Sequence, residues 1–513
     1  MKNFKEKCLK LLRGEKTTGA AITALLIGAV IALNAIVYAL TVGFGLYFTP
    51  TEELDMSISD ASDEKFSSYE GEGVDVIFCR PSSTFDDEKG TQDQTFFFHK
   101  TAKEFEKRYP NLVNIKYVNV LTKRMEPDNK IFEKLDEYQK NDKGEIEYPL
   151  YQSSIIFDYP TNNKHRVVTD AASAAFYVDP NSDSESYQAY VGEEVFSSML
   201  SWVLSKDTKK AYFTTYHGES TEVYFASMLA CAGYEFDVLD LRKQAIPDDA
   251  ALLVISNPTQ DFEKAADVQG APVSEMDRLK DYLDKGGNLY VSLDPYANKL
   301  RNIEKLLSDY GISYIETEKD GKYLKNIVKD SSDSITSDNF TLLASFADTD
   351  YAGKISGVLD KFDSGEVRLR ECAALKVEKK AEKLLVSSPS SAIYAGGERT
   401  DKSGGYCLGA VAPTSNADNT KYGNIFVVSS IYLTANDSLM TKGCANRDFI
   451  YSVLEVLFDS NNAPYGCTPI HLNDQTLQNL TMRTARIYTV LILTVPAAIA
   501  VVGFIVVRKR KNR

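Results

Sequence analysis

The chain has 513 residues, 72 acidic against 58 basic side chains and a formal net charge of −14. That balance excludes nucleic acid as a partner, because binding a phosphate backbone rewards Lys and Arg rather than carboxylate. Seven cysteines in so long a chain, with no CxxC spacing, exclude a disulfide scaffold and a cysteine metal site.

In chain order, residues 1–18 are a basic tail carrying Lys2, Lys5, Lys7, Lys10, Arg13 and Lys16. Residues 19–48 hold no charged side chain, and a bilayer-spanning helix needs only about 20 apolar residues. A signal peptide has a shorter apolar core of about 7–15 residues, so the run is expected to be an uncleaved first transmembrane helix. A second apolar run at 487–507, interrupted by Pro496, is expected to be a second one, followed by a basic tail at 508–513. Basic residues flanking spans stay on the cytoplasmic side. The expected protein is therefore a two-pass cell-membrane protein with both termini cytoplasmic and its central domain extracytoplasmic, held in the lipid bilayer by two spans. Without the tails that central part has 47 basic and 70 acidic residues, about −23. Such a surface opposes close adhesion to anionic lipid and keeps the domain soluble.

Residues 49–73 turn to Asp, Glu, Ser and Thr and read as a linker. An N-terminal α/β module is expected over 74–205. Val74–Arg80 reads as a buried strand and Phe97–Tyr109 as a helix with Phe98, Ala102 and Phe105 on one face. Val113–Val120 follows as a strand, Lys123–Lys143 as a charged stretch with a short helix, and Ser153–Asp158 with His165–Thr169 as a hairpin. This order is compatible with a thioredoxin-like arrangement without its redox cysteines. Glu193–Leu204 is then a helix with Val195, Phe196, Met199, Leu200 and Val203 inward.

From 206 to 320 strands and helices alternate. Ala211–Tyr216 is a strand, and a helix opens at Ser220 with Val223, Ala226, Leu229 and Ala230 on one face and Gly233 past its end. Strands follow at Glu235–Asp240 and Leu252–Ser256. Ser274 caps a helix with Met276, Leu279, Tyr282 and Leu283 inward, ended by Gly286-Gly287, and Asn288–Leu293 is the next strand. Continuous apolar strands alternating with helices predict a doubly wound, mostly parallel sheet. Residues 321–423 read as a β-rich insertion, 424–460 as a return strand and helix of the same domain, and 461–486 as a linker.

Three strand ends carry polar signatures: His217-Gly218-Glu219, Ser256-Asn257-Pro258 and Asp294-Pro295. In open α/β sheets ligands bind in the crevice at the carboxyl ends of the strands. His217, Gly218, Glu219, Asn257 and Asp294 are therefore the candidate ligand- or partner-binding residues. His217 with Glu219 has the composition of a general acid/base pair. The same two residues equally suit capping of a helix start, and both roles stay open. No nucleophile elbow, HExxH or phosphate loop accompanies them, and the four histidines, at 99, 165, 217 and 471, lack metal-ligand spacing. No catalytic residue, cofactor or metal is expected. Disulfides among Cys407, Cys444 and Cys467 stay open.

Several of these stretches resemble the GldG-type auxiliary components of ABC transporters, a family associated with gliding motility and related to a domain of intraflagellar-transport proteins. The matching pieces are Tyr216-His217-Gly218-Glu219, Asn257-Pro258-Thr259, Tyr282–Gly287, Leu293-Asp294-Pro295, Tyr310-Gly311-Ile312, the run from Gly423 to Asp437, and Gly443–Leu457 with Asn446-Arg447-Asp448. Tyr216 departs from the family's usual first glycine and Ser429-Ser430-Ile431 from a more acidic turn. The resemblance implies a non-catalytic, membrane-anchored auxiliary subunit with a large external Rossmann-like domain, working with a separate ABC ATPase and a multi-span permease. An external hydrolase-like enzyme using the His217/Glu219 rim, and a surface-structural protein without a transporter, are the alternatives.

Overall fold

Apolar residues in the central chain fall into short runs, and the structure pairs these into sheets. The computed structural model describes residues 56–472 apart from 87–92, 142–143, 179–186, 207, 264–273, 331–338, 363–365, 402–403, 441–443 and 461.

After helix α1 (Asp60–Phe66), strand β1 (Val74–Phe78) lies between a parallel β2 (Val113–Asn119) and an antiparallel β5 (Ile155–Tyr159). The short β3 (Arg124–Met125) and β4 (Lys130–Ile131) extend one edge, and β6 (Lys164–Val168) closes the other through the β5–β6 hairpin. Helices α2 (Gln94–Arg108) and α4 (Gly192–Leu204) cover one face, and α3 (Ala171–Ala175) lies between them in sequence. Phe98, Ala102 and Phe105 meet Phe196 and Leu200 there, with the Phe105 and Phe196 rings 4.4 Å apart. Asp93 caps α2 by accepting the Phe96 N–H and is held by Arg80.

A hairpin of β7 (Phe176–Val178) and β8 (Tyr187–Tyr190) precedes α4, and the large sheet begins with β9 (Lys209–Thr214). Helix α5 (Val223–Cys231), β10 (Tyr234–Leu239), β11 (Ala250–Ser256), α6 (Glu275–Asp284), β12 (Leu289–Ser292) and α7 (Arg301–Asp309) follow. Strand β24 (Tyr422–Val428) completes a parallel group in the order β10-β9-β11-β12-β24. The strands alternate between two cores. Tyr290, Phe426 and Val428 point to the side covered by α5 and by the helices Asp350–Leu359 and Asn446–Phe458, whereas Leu289, Val291, Ile425 and Val427 point to the side covered by α6 and α7. Both faces of β11 and β12 are dry, which is why these two strands read as unbroken apolar runs, whereas the edge strand β10 has four exposed residues.

Two expectations are corrected here. The sheet is not mostly parallel, because residues 321–423 do not stand aside as an insertion. After β13 (Ile312–Tyr314), the hairpin β14 (Glu316–Lys319) and β15 (Lys322–Lys325), and β16 (Ile327–Lys329), this stretch supplies an antiparallel half to the sheet. Together with β13, its strands β17 (Thr341–Phe346), β18 (Val367–Arg370), β19 (Leu375–Val377), β20 (Glu382–Val386) and β23 (Cys407–Ser415) bring the total to 11 strands. The β16 strand instead joins β21 (Ala392–Ala395) and β22 (Glu398–Arg399) in a small separate sheet. The molecule is a mixed α/β fold with several sheets.

The second correction concerns the membrane. Among the described residues no helix is long and apolar enough to cross one. The 15-residue α2 is about 22 Å long at 1.5 Å per residue, against a hydrocarbon core of about 30 Å. The apolar runs of the described chain are short strands and helices buried against one another. The expectation of two bracketing transmembrane helices, and with it the two-pass arrangement with cytoplasmic termini and an extracytoplasmic domain, is therefore not supported by the described residues. The runs at 19–48 and 487–507 that suggested them lie outside the described residues.

The described residues belong to one compact unit. Part of the stretch expected as a linker is built into it: Ile470–His471 forms β25 against β8, and Cys467 is buried. Among the described residues Cys407, Cys444 and Cys467 form no disulfides with one another.

Candidate functional site

Strand β9 delivers Thr214 to the sheet rim, and the chain then turns sharply through two residues with left-handed backbone, Tyr216 at φ +79° and Gly218 at φ +71°. A bulky side chain at positive φ is strained by roughly 1–2 kcal/mol, so Tyr216 keeps a turn that glycine would make freely. Its exposed ring is covered by the Arg242 guanidinium at 3.9 Å and the Lys243 ammonium at 5.0 Å, both from the loop after β10.

This turn drives His217 inward. Its side chain is 4% exposed, and the ring stacks on Phe262 at 3.9 Å. Nδ1 donates to Glu219 Oε1 at 2.8 Å, and Nε2 donates to Glu275 Oε1 and Oε2 at 3.0 and 3.2 Å. The other Glu219 oxygen accepts the His217 backbone N–H at 2.6 Å, and Glu275 Oε2 accepts the Glu263 N–H at 2.8 Å. Burial opposes a charge on the imidazole, but hydrogen bonds and Coulombic attraction from Glu219 and Glu275 outweigh it and raise its pKa to about 9. At neutral pH His217 is an imidazolium with both protons engaged. Burial alone would raise the Glu219 pKa; the His217 ring together with backbone N–H groups holds it below the usual carboxylate value.

The order β10-β9-β11 places a topological switch between β9 and β11, where the chain turns first to one side of β9 and then to the other. The expected crevice is there, and the two loops fill it. Thr259 and Gln260 donate N–H bonds of 2.8 Å to the His217 carbonyl. Ser220 N–H donates to the Ser256 carbonyl, and Ser256 Oγ donates back to the Ser220 carbonyl at 2.8 Å. Gly218 is pressed against Thr259, and a Cβ at that position would strike the threonine hydroxyl.

The structure thus brings together four of the five candidates, His217, Gly218, Glu219 and the Asn257 loop. Asn257 takes φ +51°, a conformation asparagine tolerates, and its N–H donates to the Ser292 carbonyl at 2.9 Å. Its side-chain oxygen is buried with no hydrogen-bond partner among the described residues. Asp294 stands at the neighbouring strand end and accepts the Tyr296 N–H at 2.8 Å, closing its own turn. Glu275 and Phe262 are the members that sequence reasoning missed. Glu275 follows the N-cap Ser274 as the first residue of α6, where an acid is ordinary because it complements the helix dipole. Among the described residues no group of three His, Cys, Asp or Glu side chains could hold a metal ion.

No family model matches the chain, and no curated protein matches it. Solved structures similar to it include the mmIFT52 N-terminal domain, 17% identical over 48% of this chain and 96% of that one, with a TM-score of 0.34. A ThuA-like protein from Bacteroides uniformis is 12% identical over 51% and 96%, TM-score 0.31. PurLQS from Thermotoga maritima is 12% identical over 48% and 99%, TM-score 0.28. Likenesses at this level carry no argument about what this chain does.

Proposed function

We propose that this chain is a non-catalytic auxiliary subunit of an ABC-type transport system, acting by binding partner subunits rather than by turnover. The observation that carries this reading is the double engagement of His217, held at both ring nitrogens by Glu219 and Glu275 in a buried site. A general acid or base must bring a proton within about 2.6–3.2 Å of a reacting group. Here both imidazole protons face carboxylates of the protein itself. A site of that kind holds a fold together. The resemblance of the rim motifs to GldG-type components supports the assignment to a transport system, and the lack of a phosphate loop leaves nucleotide hydrolysis to a separate ABC ATPase working with a multi-span permease.

The test is affinity capture of the tagged full-length chain at its native abundance, followed by identification of what comes with it. An ABC ATPase and a multi-span permease are expected reproducibly. Their absence from repeated captures, or a hydrolase activity that disappears in Glu219→Gln, overturns the reading.

A further inference from the structure

Beyond the Asp294-Pro295 turn lies a cleft of about 450 Å³ that shares no residue with the His217 site. Its walls come from that turn, the β14–β15 hairpin, β16, and the glycine turn Gly396-Gly397, where φ of +54° and +84° lets bare backbone form the lip. Four aromatic rings line it. Tyr296 and Tyr323 are 55% and 61% exposed, while Phe340 and Tyr394 are half-buried. Between the rings stand charged side chains. Lys299 pairs with Glu316 at 2.8 Å, and Lys325 pairs with Glu304 at 3.4 Å. Lys329 is different: its ammonium lies 4.2 Å from the Phe340 centroid and 5.0 Å from that of Tyr394, and no carboxylate pairs with it among the described residues. A second cavity of about 260 Å³ shares Lys299 and Glu316 and is lined by Tyr314, whose buried hydroxyl has no hydrogen-bond partner among the described residues.

Ligand clefts commonly measure about 300–1,000 Å³ and combine apolar walls with a few placed polar groups. Exposed tyrosine faces present flat apolar surface at small entropic cost. Lysine–glutamate pairs offer donors and acceptors side by side, which suits an alcohol that both gives and takes hydrogen bonds. One ammonium held against rings, with no carboxylate partner among the described residues, is left over for an anion. A ligand answering all three features has apolar C–H faces, several hydroxyls and a negative charge. We infer that this cleft binds an acidic saccharide, with sugar faces on Tyr296 and Tyr323, hydroxyls on the Lys299–Glu316 pair and the sugar carboxylate on Lys329. A nucleotide would also use rings, lysines and a carboxylate facing its ribose, but it brings one flat base to two exposed rings, whereas an oligosaccharide brings a sugar face to each. The inference does not rest on the transport reading, and either can fail without the other.

The test is titration calorimetry of the full-length chain with three probes: a trimer of galacturonic acid, its uncharged methyl ester and ADP. The acid trimer is expected to bind, and the ester more weakly. Lys329→Gln should weaken the acid trimer by about tenfold, or about 1.4 kcal/mol, and leave the ester unchanged. Tyr323→Ala should weaken both by at least about as much. Tyr296→Ala is the second ring variant, and a melting midpoint equal to wild type confirms that each variant is folded. No heat from either saccharide, saccharide binding that all three variants leave intact, or binding of ADP alone overturns the inference.

Discussion

His217 lies between two carboxylates whose side chains are 6% and 3% exposed, so its charge decides whether that site is balanced. Replacing it by glutamine leaves Glu219 and Glu275 facing each other without a cation. Breaking a buried ion pair from one side typically costs about 3–5 kcal/mol. His217→Gln is expected to lose that much, seen as a lower urea midpoint with unchanged slope. The same residue predicts a pH dependence. Its folded pKa of about 9 stands above the free value of 6.5, so its contribution is complete below pH 6.5 and is lost as pH rises through 9. At 1.36 kcal/mol per unit that amounts to about 3 kcal/mol. Glu219 acts in the opposite direction: held below its ordinary 4.5, it stabilises above that value and loses the effect as pH falls. Urea midpoints should be highest between about pH 4.5 and 6.5 and decline towards pH 9, and the alkaline decline should vanish in His217→Gln. His217 and Glu219 stood out in the sequence because they end an apolar strand together. Glu275 did not, because it is 58 residues from His217 and occupies a position where any helix favours an acid.

At the scale of elements, the helix after β9 shows where pattern misleads. Ser220 was expected to open it, with Val223 and Ala226 on the inner face. The helix starts at Val223 instead, because the Ser220 carbonyl, which would accept the first intrahelical bond, is taken by Ser256 Oγ at the neighbouring strand end. Val223 is 71% exposed, and Phe225, Met228 and Leu229 face the core. By contrast, α6 forms as its sequence indicates. Ser274 accepts the Asp277 N–H at 3.1 Å, Asp277 bonds back to Ser274, and Met276, Leu279, Tyr282 and Leu283 are buried. Local chemistry settles that helix, since cap and face agree. Because α6 carries Glu275 at its first position, its cap also positions the partner of His217. Ser274→Ala is expected to cost about 0.5–2 kcal/mol, typical of a lost N-cap, measured by thermal unfolding.

For the whole molecule, one contact that ties the first sheet to the large one is a buried cluster. Glu194 on α4 pairs with Arg447 and accepts the Tyr451 hydroxyl, both from the helix Asn446–Phe458, and Glu194 and Arg447 are each 5% exposed. Beside them Asn446 bridges Arg368 at the sheet edge, accepting its N–H and donating to its carbonyl at 2.7 Å each. Arg447→Met strands the Glu194 charge and is expected to cost about 3–5 kcal/mol, whereas adding Glu194→Leu should restore most of the loss. Trp202, the single tryptophan, lies on α4 against Lys164 and Arg166 and reports the first sheet alone. Its fluorescence transition in urea should coincide with far-UV circular dichroism in the wild-type chain and fall to lower urea in Arg447→Met.

Periodicity and caps were enough to place β1, β2, β9, β11, β12, α2, α4 and α6, because each buries a face whose spacing is written within ten or fifteen residues. The rim motif at His217 was also visible, since a polar triplet ending an apolar strand breaks the pattern locally. What sequence could not supply was pairing over distance. The antiparallel half of the sheet comes from strands of three to nine residues, too short for a distinctive period, whose partners lie up to 65 residues away, as Ile312 opposite Val377. The membrane arrangement was inferred from composition alone, which measures how apolar a run is and not what it packs against. The role of His217 likewise depended on a carboxylate delivered by another helix, and only the tertiary fold brings that oxygen to within 3.0 Å of the ring.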